Sequence, residues 1–299
     1  MKIRLIGLGK MGLNIALNLK DHGHEVLAYA PSEKTRVASR GEEINVVDDI
    51  KTLMKREKGE RVVVWLLVPN GVVDSVIAEV LPFLNKQDII IDAGNSNFNT
   101  SITRYNYLKG LDIDFIDLGT SGGMSGARNG ACLMAGGELE VIKFVEQAFI
   151  DVAVKDGYAH VGRPGSGHFV KMVHNGIEYG MMQAIGEGFD FMEHSDFDVD
   201  FHQVARLWNH GSIIESSLIG NIESAFSKDP NLDQISGIID DSGEGKWMIE
   251  EALNNKIAIP VITQALFARF KSKDEDKFGE KVVASMRKEF GGHAIYKKK

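Results

Sequence analysis

A glycine-rich turn near the start of the chain limits its possible folds more than any other feature. Gly7-Leu8-Gly9-Lys10-Met11-Gly12 matches the pattern G-x-G-x-x-G. The turn lies between a predicted strand, Lys2 to Ile6, and a predicted amphipathic helix, Met11 to Asp21, which is the context of a dinucleotide-binding turn. The three glycines would permit a tight turn, close approach of backbone to a pyrophosphate, and close packing of helix on strand. The pattern therefore predicts a dinucleotide site at the helix N-terminus, with an ordinary strand-turn-helix as the alternative.

Strand-like and helix-like segments alternate through the first half of the chain. The segment from Arg61 to Val68 is continuously apolar after its first residue, as expected for a strand covered on both faces. Such alternation implies a parallel sheet with helices on both faces. The further segments are a helix at Val72 to Leu84 and strands at Glu25 to Tyr29, Asp88 to Asp92, Asp114 to Leu118 and Ala131 to Met134.

The character of the sequence changes after the glycine-rich segment Gly162 to Gly167. Beyond it the patterns are helical, with almost no strand. We therefore predict an α/β Rossmann-type doubly wound sheet in residues 1–163, followed by an all-α C-terminal domain in residues 164–299. The predicted helices are His168 to about His194, Ser212 to Phe226, Lys246 to Asn254, Val261 to Lys271 and Asp274 to Phe290.

Charge and composition exclude several classes of function. A net charge of −8 argues against nonspecific nucleic-acid binding, although a few cations in one cleft could still bind an anionic substrate. The longest strongly apolar run, Val62 to Val68, is far shorter than the ~20 residues that cross a bilayer. Strand-like sequence from Lys2 leaves no room for a signal peptide. Cys132 is the only cysteine, so an intramolecular disulfide and a clustered thiolate metal site are excluded. These features predict a cytoplasmic protein.

The segment Tyr29 to Arg36 leaves the choice between NAD and NADP open. An acid about 20 residues after the glycines would bind the ribose of NAD, and an arginine would favour NADP. The end of the second strand carries neither. Ser32, Lys34 and Arg36 could meet a 2′-phosphate, whereas Glu33 could bind a ribose but is displaced from the usual place.

Four polar residues of the first predicted C-terminal helix have helical spacing. Lys171, His174, Asn175 and Glu178 stand at i, i+3, i+4 and i+7, so they share one face. A solvated face is the alternative, but it does not explain why the remaining sides are apolar. We predict a catalytic stripe on a helix that is buried on most of its circumference. The apolar neighbours are Phe169, Val170, Met172, Val173 and Ile177.

Small residues recur every four positions on the opposite side of the same helix, at Gly176, Gly180, Ala184 and Gly188. A glycine inside a helix costs about 1 kcal/mol relative to alanine, so the repeat needs a packing reason. It predicts the close approach of another helix.

The segment Gly165 to Tyr179 resembles the signature of the decarboxylating 6-phosphogluconate dehydrogenases. The chain is similar to the short form of that family, whose helical domain is smaller than that of the long form. The resemblance implies oxidation and decarboxylation of 6-phosphogluconate to ribulose 5-phosphate and CO2, a reaction of the pentose phosphate pathway, with reduction of NAD or NADP. The other agreeing segments are Gly7 to Gly12, Asp92 to Ser96, Ser121 to Gly123, Gly126 to Arg128, Gly245 to Trp247, and Arg287 to His293.

The resemblance also implies the catalytic roles. Lys171 would be the base that takes the proton of the substrate's 3-hydroxyl, and as an ammonium it would then polarise the 3-keto group. Glu178 would be the acid that protonates C1 of the enediol. Burial favours the neutral forms that both roles need, and no metal is required.

The binding residues are likewise implied by the resemblance. The sugar acid would be oriented by Asn95, Ser121, Gly122, Gly123, His174 and Asn175. Its phosphate would be bound by Tyr179, Lys246, Arg269, Arg287 and His293. The cofactor would be bound by Gly7, Leu8, Gly9, Lys10, Met11, Gly12, Ser32, Val68 and Asn95.

Several of these residues have simpler alternatives. Arg269 could be a helix-surface cation, and Arg287 and His293 could belong to a disordered tail. In the family the tail reaches a neighbouring subunit's site. The resemblance therefore implies a homodimer or homotetramer, with the C-terminal domain serving substrate binding and oligomerisation.

The chain departs from the family pattern at Met124, Met248, Pro69-Asn70 and Pro31. These departures concern cofactor preference and fine substrate contacts rather than the chemistry. Two other functions stay open: a non-decarboxylating dehydrogenase of the 3-hydroxyisobutyrate type and a non-catalytic dinucleotide sensor. Glu178, Tyr179 and the tail favour the phosphogluconate interpretation over the former, and the presence of both Lys171 and Glu178 argues against the latter.

Overall fold

A computed structural model describes residues 1–42 and 44–297 of the chain. These residues form two compact units, Met1–Asn175 and Gly176–Lys299. The last strand ends at Gly162, and the helix that follows begins inside the first unit and continues into the second. The first unit thus includes the start of a helix that the sequence analysis assigned to the C-terminal domain, and the boundary near residue 163 stays a prediction.

The first unit contains one sheet, which in the described residues has eight strands in the order β3-β2-β1-β4-β5-β6-β7-β8. All neighbouring strands are parallel except β6 and β7, in which Leu118 pairs with Ala135. The strands are β1 (Lys2–Ile6), β2 (Glu25–Tyr29), β3 (Asn45–Val46), β4 (Val63–Leu66), β5 (Ile89–Asp92), β6 (Asp114–Ser121), β7 (Ala131–Gly136) and β8 (Ala153–Gly162).

The Rossmann-type doubly wound sheet is confirmed, and it is mostly parallel, with β6 and β7 as the antiparallel pair. The connection from Ser121 to Ala131 is shorter than the dozen or more residues of a parallel crossover, so β7 returns beside β6 in the opposite direction. Strands β3 and β8 were not predicted. The first has only two residues, and the second is mostly exposed or half-buried with polar residues in its middle, so neither has a continuous apolar run.

Helices cover both faces of the sheet. In β4, Val63 and Trp65 point into one apolar core, while Val64 and Leu66 point into the other, as predicted for a doubly covered strand. The predicted helix Val72 to Leu84 is an α-helix only from Val73 to Val80, with a 3-10 turn on either side. The helices are α1 (Lys10–Asp21), α2 (Glu33–Gly41), α3 (Ile50–Leu53), α4 (Val73–Val80), α5 (Phe98–Lys109), α6 (Gly123–Asn129) and α7 (Leu139–Val152).

The chain from Ser166 onward is helical, and no strand follows Gly162 in the described residues. The helix Phe201–Trp208 was not predicted; it begins where the Asp200 carboxylate accepts the N–H of Gln203. The predicted start of the last helix at Asp274 is wrong, because that side chain accepts the N–H of Lys277 in a preceding turn. The helices are α8 (Ser166–Glu193), α9 (Phe201–Trp208), α10 (Ser217–Phe226), α11 (Glu244–Asn254), α12 (Pro260–Ser272) and α13 (Phe278–Gly291).

The small-residue side of α8 has helix neighbours in the second unit, as its spacing predicts. A Cβ on Gly176 would lie 2.2 Å from the Met248 sulfur of α11, and a Cβ on Gly180 would lie 3.4 Å from a Val261 methyl of α12. At Gly188 the prediction is wrong, since no atom would lie within 4 Å of a Cβ there. None of the described helices is both long and apolar enough to cross a bilayer.

Candidate active site

The glycine-rich turn has the geometry of an anion cradle. Gly7 has φ +105° and donates its N–H to the Tyr29 carbonyl at 2.9 Å. A Cβ on Gly12 would lie 1.8 Å from the Gly7 oxygen, so only glycine allows α1 to start this close to β1. Gly9 is exposed, with nothing within 4 Å of its Cβ position, and the first turn of α1 holds no acidic residue. The turn therefore fits the pyrophosphate of a dinucleotide, with Leu8 buried beneath it.

The loops that carry the predicted cofactor residues follow parallel strands, so they meet at one edge of the sheet. Gly7 follows β1, Ser32 follows β2, Val68 follows β4, Asn95 follows β5 and Ser121 ends β6. The order β2-β1-β4 places the reversal of strand order beside the glycine turn, where α/β sheets bind their ligands. Lys10 is exposed and Met11 is half-buried. Both residues lie in the first turn of α1, at the same edge of the sheet.

The loop after β2 is held by its own side chains. The Ser32 hydroxyl accepts the N–H of Thr35 and caps α2. Arg36, which could have met a 2′-phosphate, donates to the carbonyls of Ala30 and Pro31 at 2.8 Å each and to Asp48 at 3.3 Å. In this arrangement the Arg36 guanidinium holds the loop after β2 through oxygen atoms of the protein itself.

Asp92 organises the loop that presents Asn95. Its buried carboxylate accepts hydrogen bonds from the Ser96 hydroxyl (2.8 Å) and from Arg104 (3.0 Å), while Asn95 is exposed. Arg104 also pairs with Asp74, and this hydrogen bond holds the pKa of the Asp74 carboxyl below its ordinary value. The sequence analysis missed Arg104, because its partners are distant in sequence.

The predicted catalytic stripe lies on α8. Lys171 and Asn175 are each only 7% exposed, so the alternative of a solvated face is wrong for these two residues. The Ser121 hydroxyl lies 3.0 Å from His174 Nε2, and His174 Nδ1 lies 3.0 Å from the Asn175 side-chain oxygen. The two ring nitrogens of His174 therefore link Ser121 to Asn175. Glu178 is half-buried about two turns beyond Lys171.

The prediction that α8 is buried on most of its circumference is wrong in part. Met172 is buried, but Phe169 is 40% exposed and Ile177 is 51% exposed. The loop from Ser121 to Gly123 was predicted to contact the substrate. Gly122 and Gly123 of this loop are exposed, at the point where α6 begins.

In the second unit, Tyr179 is the centre of a polar cluster. Its hydroxyl donates to Asp241 at 2.9 Å and accepts the N–H of Ser242 at 3.1 Å, and burial raises its pKa. The Arg269 guanidinium lies 3.5 Å above the tyrosine ring, within the range of a cation–π contact. Its Nη1 donates to the Asp240 carbonyl at 2.7 Å. Arg269 is therefore bound to Tyr179 and is not an isolated surface cation.

The other predicted phosphate ligands are more exposed. Lys246 stands on α11 next to Gly245, which packs against the Tyr179 ring, and forms an exposed pair with Glu250 at 3.7 Å. Arg287 lies on α13, a helix without a buried residue, and the His293 ring packs against Phe290. The sequence analysis missed Asp241 and Ser242, whose only local signal is a polar turn before α11.

No group of three or more His, Cys, Asp or Glu side chains among the described residues could hold a metal ion.

Comparison with known sequences and structures decides the family. A family profile described as the NAD binding domain of 6-phosphogluconate dehydrogenase matches residues 2–162, and the C-terminal domain of the same enzyme matches residues 167–196. The chain belongs to the 6-phosphogluconate dehydrogenase family. It is accordingly an NAD(P)-dependent oxidoreductase, as its dinucleotide turn predicts.

Two relatives of the same length support this family membership. The chain is 51% identical over 298 residues to YqeC of Bacillus subtilis (strain 168), a provisionally named 6-phosphogluconate dehydrogenase, and the match covers all of both chains. It is 36% identical over 301 residues to the NAD(+)-dependent, decarboxylating 6-phosphogluconate dehydrogenase of Haloferax volcanii. This second match covers 100% of the chain and 99% of the relative.

Solved structures of the family and of a neighbouring class share the fold. 6-Phosphogluconate dehydrogenase of Plasmodium falciparum, described with NADP+ and with 6-phosphogluconate, superposes with a TM-score of 0.82 at 31% identity. The match covers the whole chain and 66% of the Plasmodium chain. 3-Hydroxyisobutyrate dehydrogenase of Mycobacterium tuberculosis superposes with a TM-score of 0.71 at 17% identity, covering 96% of the chain and 99% of that structure. The similarity to 3-hydroxyisobutyrate dehydrogenase shows a shared fold and nothing more.

Proposed function

We propose that this protein oxidises and decarboxylates 6-phosphogluconate to ribulose 5-phosphate and CO2, a step of the pentose phosphate pathway. The observation that carries the proposal is the buried Lys171 on α8, the helix that also bears Glu178 about two turns later. A lysine and a carboxyl group on one helix supply the base and the acid that oxidative decarboxylation of a β-hydroxy acid requires. A simple hydroxyacid oxidation needs only the base.

Lys171 acts first, on the 3-hydroxyl of the substrate. Its amine takes the hydroxyl proton. The glycine turn, Gly7 to Gly12, would hold the nicotinamide cofactor, which would supply the acceptor for the hydride that leaves C3. The product of this step is a 3-keto acid, whose carboxylate is β to the new carbonyl. Lys171, now an ammonium, donates a hydrogen bond to that carbonyl and stabilises the enediol that forms when CO2 leaves.

Glu178 completes the reaction. After CO2 has left, its carboxylic acid protonates C1 of the enediol and yields ribulose 5-phosphate. Glu178 is half-buried on α8, the helix that also carries Lys171.

The polar groups next to Lys171 orient the sugar acid. Ser121, His174 and Asn175 form one hydrogen-bonded chain, so their remaining donors and acceptors have fixed directions. Asn95 faces outward from the same edge of the sheet. The phosphate is assigned to Tyr179, Lys246, Arg269, Arg287 and His293, because a bidentate arginine and further cations suit an oxyanion.

We also propose that the working form is a homodimer or homotetramer. Phe278, Val282, Met286 and Phe290 form an exposed apolar stripe on α13, spaced four residues apart. A stripe of this kind, followed by a tail with His293, suits the surface of a second copy better than water. The predicted cytoplasmic location is part of the proposal, because the chain has a single cysteine.

Dehydrogenase activity on 6-phosphogluconate tests the proposal. Reduced cofactor is followed at 340 nm together with released CO2, with NAD and NADP in parallel and 3-hydroxyisobutyrate as the alternative substrate. Equal amounts of reduced cofactor and CO2 are expected. Reduction without CO2 would instead indicate a simple hydroxyacid dehydrogenase. Cofactor binding without turnover of either substrate would indicate a sensor.

A further inference from the structure

The first turn of α8 rests on strand β6 through a buried carboxylate. Asp117, in the middle of β6, is fully buried. One of its oxygens accepts the N–H of Gly165 at 2.6 Å, and the other accepts the N–H of His168 at 2.8 Å. These donors belong to the N-terminal turn of α8, whose N–H groups have no partner within the helix. A carboxylate at this end also interacts favourably with the helix dipole.

Two glycines pack closely against Asp117. A Cβ on Gly136 would lie 2.5 Å from one Asp117 oxygen, and a Cβ on Gly167 would lie 2.3 Å from the Asp117 carbonyl oxygen. Burial raises the pKa of Asp117, and the neighbouring His168 ring and the two backbone donors act in the opposite direction. His168 is itself buried and meets the Ser101 hydroxyl of α5 at 2.7 Å. The start of α8 is therefore held from two sides.

Strand β6 contacts α8 at two further positions, which are regularly spaced along both elements. A Cβ on Gly119 would lie 2.7 Å from the Lys171 Cβ, and the Ser121 hydroxyl lies 3.0 Å from His174 Nε2. Every second strand residue points to one face and advances about 6.6 Å, while one helical turn advances about 5.4 Å. Residues 117, 119 and 121 of β6 consequently face residues 168, 171 and 174 of α8. The Asp117 contact is the first of the three.

We propose that Asp117 is a positioning residue for the reaction. It touches no reacting atom; by fixing the first turn of α8 on β6, it sets where Lys171 and His174 stand relative to Ser121. This inference rests on the proposed function of Lys171. A displacement of about 1 Å at such a site can lower the rate about a hundredfold, so the anchor matters for chemistry as well as for folding.

A matched pair of variants separates positioning from stability. Asp117→Asn keeps the size of the side chain but turns one acceptor into a donor facing an N–H group. Asp88→Asn makes the same change at another buried aspartate of the first unit. Asp88 accepts the N–H groups of Val62 (2.7 Å) and Asn85 (2.6 Å) and also pairs with Arg56, so its loss is at least as disruptive to folding. Asp88 lies before β5, at the opposite edge of the sheet from Asn95.

Steady-state kinetics below the unfolding temperature give the first measurement. Asp117→Asn is expected to lower kcat about a hundredfold while leaving the KM for the cofactor nearly unchanged. Asp88→Asn is expected to lower the unfolding temperature without a comparable loss of kcat. Equal kcat values in the two folded variants would overturn the positioning role.

Amide hydrogen exchange gives a second measurement that does not depend on activity. Exchange in residues 165–175 is expected to be at least about tenfold faster in Asp117→Asn and unchanged in Asp88→Asn. Unchanged exchange in both would overturn the inference. If the wild-type protein does not turn over 6-phosphogluconate, the proposed function fails while exchange still tests the anchor. If Asp117→Asn does not fold, Asp117→Ala serves instead, because alanine empties the pocket and places no donor there.

Discussion

The two compact units differ in how they bury their apolar side chains. In the first unit Trp65, Phe115 and Phe149 are at most 1% exposed, and two large cores flank the sheet. In the second unit the buried clusters are small, and Phe278 and Phe290 of α13 are 68% and 77% exposed. The first unit therefore completes its own core. The helices of the second leave large apolar side chains exposed.

The chemistry is proposed on α8, the helix that begins in the first unit and continues in the second. Lys171 belongs to the self-contained unit and Glu178 to the more exposed one. Substitutions of these two residues therefore test whether the two units contribute separate steps of the reaction. Substitutions of apolar residues in each unit test whether the difference in burial is also a difference in stability and assembly.

The largest effect is expected for Lys171→Ala. Removal of a general base costs about a hundredfold to ten-thousandfold in rate, so kcat for 6-phosphogluconate should fall about a thousandfold. Lys143→Ala is the control, since Lys143 lies on the surface of the same unit and pairs only with Glu140. Cofactor reduction at 340 nm measures both. Unaltered activity of Lys171→Ala would contradict the mechanism.

Glu178→Gln is expected to have the next largest effect. CO2 release and product protonation should slow about a hundredfold, because glutamine cannot supply a proton, whereas cofactor affinity should not change. Glu187→Gln on the same helix is the control, because the Glu187 side chain is exposed and accepts a hydrogen bond from Gln183 in the preceding turn. Released CO2 and the dissociation constant of NAD(P)H are measured side by side. An equal loss of cofactor affinity would argue against the acid role.

A pair of phenylalanine substitutions tests the comparison of cores directly. Phe149→Ala removes a fully buried ring and should lower the free energy of unfolding by about 3–5 kcal/mol. Phe278→Ala removes an exposed ring, and in dilute protein it should cost less than about 1 kcal/mol. Urea unfolding at low protein concentration measures both values. Equal losses would show that α13 is packed as firmly as the sheet.

The smallest expected effect concerns assembly. Met286→Asp places a charge in the exposed apolar stripe of α13 and should raise the dissociation constant of the homo-oligomer at least about tenfold. Lys288→Asp changes the charge more strongly, but on the opposite side of the helix, and should leave assembly intact. Sedimentation velocity over a range of concentrations distinguishes them. A wild-type protein that stays monomeric throughout would contradict the proposed oligomer.

Local features were predicted well because neighbouring residues decide them. Strands β1 and β2 have the predicted bounds, and α8 differs from its prediction by only a few residues. The spacing of Lys171, His174, Asn175 and Glu178 was sufficient to place them on one helix. The assignment of substrate and cofactor contacts to individual residues stays a prediction.

The hydrogen-bond partners of individual side chains could not be predicted from the sequence in the same way. Arg36 was a candidate for a phosphate, yet it donates to Ala30, Pro31 and Asp48. The sequence analysis did not single out Asp117, whose side chain accepts two backbone N–H groups at the start of α8. The partners of Arg36 lie 5, 6 and 12 residues away, and those of Asp117 lie 48 and 51 residues away. Neither set follows the period of a helix or a strand, so a single sequence does not reveal it.

By itself, the sequence determined the dinucleotide turn, the alternating first half, the helical second half and the family. Each of these depends on residue type at fixed short spacing, which backbone geometry converts directly into local structure. Only the tertiary structure decided the antiparallel turn of β7, the burial of Lys171 and the anchoring of α8 by Asp117. These depend on which surfaces pack together, and packing selects among arrangements that are locally equivalent.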